Sequence, residues 1–115
     1  MRNRPILRDP DVIKDADIVM MESTYGNRIH PPAAAGINEL AAAIKKTVRR
    51  GGTAVIPCFA VGRTQEMLYF IREIKRDNLI PEFPNFEVYI DSPLAIEATT
   101  VFNKNVWSCF DEEAL

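Results

Sequence analysis

An α/β fold is predicted for this 115-residue chain, a three-layer βαβαβα arrangement with a parallel sheet flanked by helices. Two observations predict it. Short continuous apolar runs recur at 18–21, 53–56 and 86–90, the pattern of strands buried on both faces. After each run comes a segment whose apolar residues step by three and four, the period of one helix face. Alternation of this kind argues for a parallel sheet with right-handed crossovers.

The first run, Ile18-Val19-Met20-Met21, is bounded by Asp17 and Glu22. A helix follows, roughly Gly36 to Arg50, with Ile37, Leu40, Ala41, Ile44 and Val48 on one side. Lys45, Lys46, Arg49 and Arg50 crowd its end, where cations suit the helix dipole. Gly51-Gly52 stops it, because glycine readily takes the left-handed conformation of a C-terminal cap. A strained exit is therefore expected on replacing Gly52 with valine. The second strand, Thr53-Ala54-Val55-Ile56, ends at Pro57. A second helix from about Thr64 to Arg76 places Met67, Leu68, Ile71 and Ile74 together, and Asn78 to Asn85 reads as a loop. The third strand is Phe86 to Ile90. Ser92-Pro93 then reads as an N-cap followed by proline at the first helical position, opening a helix towards Asn103. Beyond it, Trp107 and Phe110 call for burial, but no period assigns 103–115 to an element.

The composition, 47% hydrophobic and 26% charged, is that of an ordinary globular domain and excludes global disorder. A net charge of −2 gives none of the basic footprint that draws proteins to nucleic acid. Any such surface has to lie elsewhere in a larger protein. Cys58 and Cys109 are too few for a disulfide framework and lack metal-ligand spacing, so they read as free thiols in a reducing cytosol. No apolar run approaches the roughly 20 residues of a membrane helix, and the N-terminus leads into polar sequence rather than a signal-peptide core. A soluble, cytoplasmic protein with no membrane partner is expected.

Ligands of open parallel sheets gather beyond the carboxyl ends of the strands. That rule selects Glu22-Ser23-Thr24-Tyr25-Gly26, Cys58 to Arg63, and Asp91-Ser92. Glu22, directly after four apolar residues, is either a structural carboxylate or a site residue. Ser23 and Thr24 fit a turn as well as a site. Arg63 opens a helix, where a cation is electrostatically misplaced, so its expected partner is Glu22, a substrate phosphate or a nearby carbonyl, with a surface ion pair as the equal alternative. Ser92 is an N-cap that could also meet an anion. His30, the single histidine, makes no metal site beside two prolines. Neither a P-loop nor a dinucleotide fingerprint occurs.

Three ordered segments carry a resemblance. Ala16 to Arg28 with its Glu22-Ser23-Thr24-Tyr25-Gly26 core, Gly51 to Glu66, and Val88 to Ala95 resemble successive segments of the β-CASP nucleases, RNA-processing enzymes of the metallo-β-lactamase superfamily. The Glu-Ser-Thr-Tyr-Gly form is closer to the branch of the pre-mRNA 3′-end cleavage subunit and its prokaryotic relatives than to ribonuclease J. The resemblance implies a Rossmann-like β-CASP core that caps an active site holding two zinc ions. Single-stranded RNA, or DNA in some members, enters between the cap and the metallo-β-lactamase domain. Glu22 would support a catalytic histidine without binding zinc, while Ser23, Thr24, Arg63 and Ser92 would line the cleft. The family's His-x-His-x-Asp-His motif has no counterpart here, so no cofactor is expected in this chain itself. By this reading residues 1–15 leave the metallo-β-lactamase domain in cis and 16–115 are a partial β-CASP domain, inactive alone although the parent is a nuclease. The alternative is a non-catalytic α/β module that binds a nucleotide or a protein.

Overall fold

The computed structural model describes residues 5–29, 33–112 and 114; His30 lies outside them. Helix α1 spans Ala33–Val48, three residues earlier than the apolar period alone marks, because alanine is the best helix former and Ala33-Ala34-Ala35 extend the first turn. Its end matches the glycine rule in detail. Gly51 adopts φ 70°; its N–H donates to the Val48 carbonyl (2.8 Å) and that of Gly52 to Thr47 (3.1 Å), closing a Schellman motif. The left-handed residue is thus Gly51. Gly52 is constrained differently: a Cβ there would meet Thr47 Cγ2 at 3.3 Å. Replacing Gly51 with alanine should cost about 1 kcal/mol, the left-handed penalty of a side chain. A shift in the denaturation midpoint measures it, and an unchanged midpoint would mean that the exit relaxes to another conformation.

Helix α2, Arg63–Arg76, ends the same way with a different residue. Asn78 takes φ 50°, its N–H donates to Lys75 O (3.2 Å), and Leu79 N–H donates to Ile74 O (3.0 Å). Asparagine serves because it tolerates the left-handed region better than other residues with a side chain. Helix α3, Pro93–Lys104, is followed by the short α4, Val106–Cys109. None of these helices is long and apolar enough to cross a membrane.

The core forms where α1 and α2 meet. Ala41, Ile44, Ile74 and Ile80 are buried together, with Val48, Leu79, Phe83 and Phe86 packed against them. The loop after α2 therefore folds back over both helices, fastened by Lys45 to Glu82 (2.6 Å) and by Lys75, which donates to Phe86 O (2.7 Å) and sits over its ring. Buried Glu73 is held between Arg72 and Arg76.

Residues 18–21, 53–56 and 86–90 lie outside any helix and carry no ladder among the described residues. Most of their side chains face solvent, with Met20 97% and Val55 85% exposed, whereas Phe86 packs against the core and Ile90 is half-buried. The accessible surface is 9579 Å² and the radius of gyration 16.7 Å. A compact chain of this size would have about 6300 Å² and about 13 Å. Exposed apolar side chains of the three runs, among them Ile18, Val19, Met20, Met21, Val55 and Tyr89, contribute to the excess.

The two ends of the described chain meet instead. Leu7 and Phe110 form an antiparallel bridge. Arg8 donates from Nε to Phe110 O (3.0 Å) and from its terminal nitrogen to Trp107 O (3.2 Å), so its guanidinium caps α4. Phe110 packs edge-on to Phe102, with centroids 6.4 Å apart. Trp107 remains 82% exposed.

Candidate functional site

Each of the three junctions singled out by the strand-end rule has a definite local geometry. After the first apolar run the chain turns sharply: Gly26 N–H donates to Ser23 O (3.0 Å) and Arg28 N–H to Tyr25 O (3.0 Å). Glu22 fixes this turn, its Oε2 accepting from Thr24 N–H at 2.8 Å. The Thr24 amide and then the Thr24 hydroxyl hold the Glu22 carboxyl below its ordinary value of 4.5, against a small opposing effect of desolvation. A depressed carboxyl contributes above its unfolded pKa and loses that contribution as pH falls through the folded one. Glu22 is therefore an anion at neutral pH. Arg28 lies over the Tyr25 ring, 5.2 Å from its centroid.

The second junction is an elbow. Gly62, at φ 84°, swings the chain into α2, a conformation that a side chain would strain. The loop is then stapled from inside α2. Gln65 accepts from Gly62 N–H (2.7 Å) and donates to Ala60 O (3.1 Å), while Thr64 Oγ1 donates to Phe59 O (2.8 Å). Gln65 also donates to Thr99 Oγ1 on α3 (3.0 Å) and is only 4% exposed. One side chain thus ties the elbow to the third helix. Sequence reading passed over it, yet the signal was there: a glutamine three residues after an N-cap is the reaching-back half of a capping box.

Arg63, half-exposed, pairs with Glu66 on the same helix at 2.6 Å, neither with Glu22 nor with a carbonyl. Glu66 supplies the anion that a cation at a helix N-terminus needs. At the third junction Ser92 is the N-cap, its Oγ accepting from Ala95 N–H at 3.2 Å. Among the described residues no hydrogen bond or ion pair joins Glu22, Ser23 or Thr24 to Arg63 or Ser92. The elbow and α3 are brought together, while the Glu22 turn stands on its own bonds. No group of three His, Cys, Asp or Glu side chains converges into a metal-binding set among the described residues. A cavity of about 180 Å³ opens between α2 and α3, lined by Ile6, Leu68, Tyr69, Phe102 and Phe110 among others. It is mainly apolar, and the polar atoms of Gln65 and Thr99 on its wall are already paired.

A family model of the Beta-Casp domain matches residues 64–114. A ribonuclease of Thermus thermophilus is 36% identical over 112 residues, 97% of this chain and 25% of its own length. The chain belongs to the β-CASP family. A transcription termination factor of Methanosarcina mazei is 42% identical over 99 residues, covering 83% of this chain and 15% of that protein. The cleavage and polyadenylation specificity factor 73 of Drosophila melanogaster is 35% identical over 86 residues, 75% of this chain and 12% of that protein. No solved structure matches the chain. This β-CASP chain spans about a quarter or less of these relatives. The family match begins one residue after Arg63 and takes in Gln65 and Ser92. Glu22 precedes it.

Proposed function

We propose that this chain is the substrate-capping part of a zinc-dependent nuclease of the metallo-β-lactamase fold, which hydrolyses phosphodiester bonds in single-stranded RNA. The observation that carries the reading is the likeness to a ribonuclease along 97% of the chain, which takes in all three junctions. In the complete protein the apolar runs 18–21, 53–56 and 86–90 pair as a parallel sheet, and their carboxyl ends bring Glu22, Arg63 and Ser92 to one edge. The exposed apolar surface of these runs supports that pairing, since solvated strands of this kind forfeit their hydrophobic stabilisation.

At that edge the Glu22 carboxylate positions a catalytic histidine supplied by the metallo-β-lactamase domain in cis. Arg63 exchanges Glu66 for a substrate phosphate, the partner that a planar guanidinium matches best. The Ser23 and Thr24 hydroxyls and the N-terminus of α3 at Ser92 offer further phosphate contacts. The described side chains do not make a zinc-ligand set; in this proposal the two ions are held by other parts of the protein.

The complete gene product is expected to shorten or cut single-stranded RNA, to stop when chelated, and to recover on adding zinc. Residues 1–115 alone should neither cut RNA nor retain stoichiometric zinc through dialysis. Tight zinc on the isolated chain, or a complete protein loaded with metal that leaves RNA intact, would sink the reading. Saturable mononucleotide binding lost on Arg63→Ala, with no preference for longer RNA, would favour a non-catalytic binding module.

A further inference from the structure

The net charge of −2 conceals a strong segregation. Residues 45–50 hold four cations and no acid, residues 72–86 hold three of each, and the remainder of the chain has seven basic and thirteen acidic residues. The loop 77–86 has already neutralised one of the four, Lys45, through Glu82. Lys46, on the last turn of α1, and Arg49 and Arg50, in the turn that leaves it, are left at positions i, i+3 and i+4 around the helix exit. All three are exposed, on the side away from Ala41 and Ile44. None makes an ion pair among the described residues, although the Arg49 charge also helps to hold the Glu82 carboxyl below its ordinary value.

Helix capping does not explain them. The carbonyls at the end of α1 are satisfied by backbone N–H groups: Lys45 by Arg49, Thr47 by Arg50 and Gly52, Val48 by Gly51. Only Arg50 contributes a side-chain cap, to Lys46 O at 3.2 Å. The dipole favours cations there but works over a single turn and is screened by salt. Three like charges within five residues also repel one another, which an anionic partner would relieve.

We propose that Lys46, Arg49 and Arg50 form a second contact for the sugar–phosphate backbone of single-stranded RNA, separate from the cleft at the strand ends. The proposal rests on the nuclease reading for its ligand. The patch lies at the C-terminal end of α1, one helix length or about 24 Å from the end that follows the Glu22 turn. A short oligomer filling the cleft does not reach it, whereas a longer strand does. Its role is retention of long substrates.

The test uses the complete protein and non-hydrolysable 2′-O-methyl oligouridylates, one short and one several times longer, in a polarisation assay over a range of salt. Each phosphate contact on a single strand adds about 0.7 to the slope of log affinity against log salt. For the long oligomer, the K46A/R49A/R50A variant is expected to lower that slope by about 2. The unmodified protein should then lose roughly 20-fold more affinity than the variant when salt rises fourfold. The short oligomer should bind both proteins alike, and R49K/R50K should behave as the unmodified protein. Circular dichroism checks that α1 stays folded. Coincident slopes for the long oligomer, or equal losses for both lengths, overturn the second contact. If the short oligomer still binds in an Arg63-dependent manner, the cleft reading survives that failure. Binding of neither oligomer by the unmodified protein overturns both.

Discussion

If the proposed nuclease role holds, replacing Glu22 with glutamine in the complete protein is expected to lower the rate of RNA cleavage 10- to 100-fold, roughly what losing the carboxylate behind a functional histidine costs. Glutamine is the informative change. Its amide oxygen still accepts from Thr24 N–H, so the bond that sets the Ser23–Gly26 turn is kept and only the charge is lost. Thermal stability should therefore hardly move. Because hydrogen bonds from Thr24 hold its pKa below 4.5, Glu22 stays ionised throughout the neutral range and does not itself shape the pH–rate profile there. A histidine that loses a neighbouring anion holds its proton less tightly, so the limb which that histidine sets should move to lower pH. RNA affinity should stay within a few-fold. Full turnover with an unshifted profile would remove Glu22 from the site and leave it as a turn residue.

Glu22 also marks how far the sequence could be read. The three longer helices were legible, because a helix is a local object: its apolar period, caps and stop signals lie within one stretch of chain, whereas the four residues of α4 are too few to show a period. Ser92-Pro93 and Gly51 declared their ends in this way. Asn78 did not, since an asparagine before two prolines looks like a generic loop, and its left-handed role depends on Ile74 and Leu79 meeting in the core. Arg63 left two readings open, a site partner and a surface ion pair, and the pair forms with Glu66, three residues along the helix surface. Trp107 is the opposite case: its composition calls for burial, yet no described neighbour covers it. Strand pairing is non-local, so an apolar run declares its need for partners without naming them. Relatives four or more times longer than this chain provide room for the missing ones.

That need can be measured by setting Val55 against Ile74. Ile74 is fully buried between Ala41, Ile44 and Ile80, so Ile74→Ala should destabilise the protein by about 3 kcal/mol, from lost transfer energy plus the cavity left behind. For a domain of this size that lowers the melting temperature by roughly 10 °C, and the same free-energy cost, with a smaller temperature shift, is expected in the longer complete protein. Val55 is 85% exposed here, and Val55→Ala in the isolated chain should change stability by less than about 0.5 kcal/mol, as for other surface positions. In the complete protein the expectation reverses. If 53–56 is the central strand of a parallel sheet with helices on both faces, Val55 is enclosed and its truncation should cost at least about 1 kcal/mol. The difference between the two hosts is thus the energetic signature of sheet formation, free of any assumption about activity. Equal, small effects of Val55→Ala in both would show that the apolar runs stay open to solvent. The strand ends would then have no common edge on which to gather Glu22, Arg63 and Ser92.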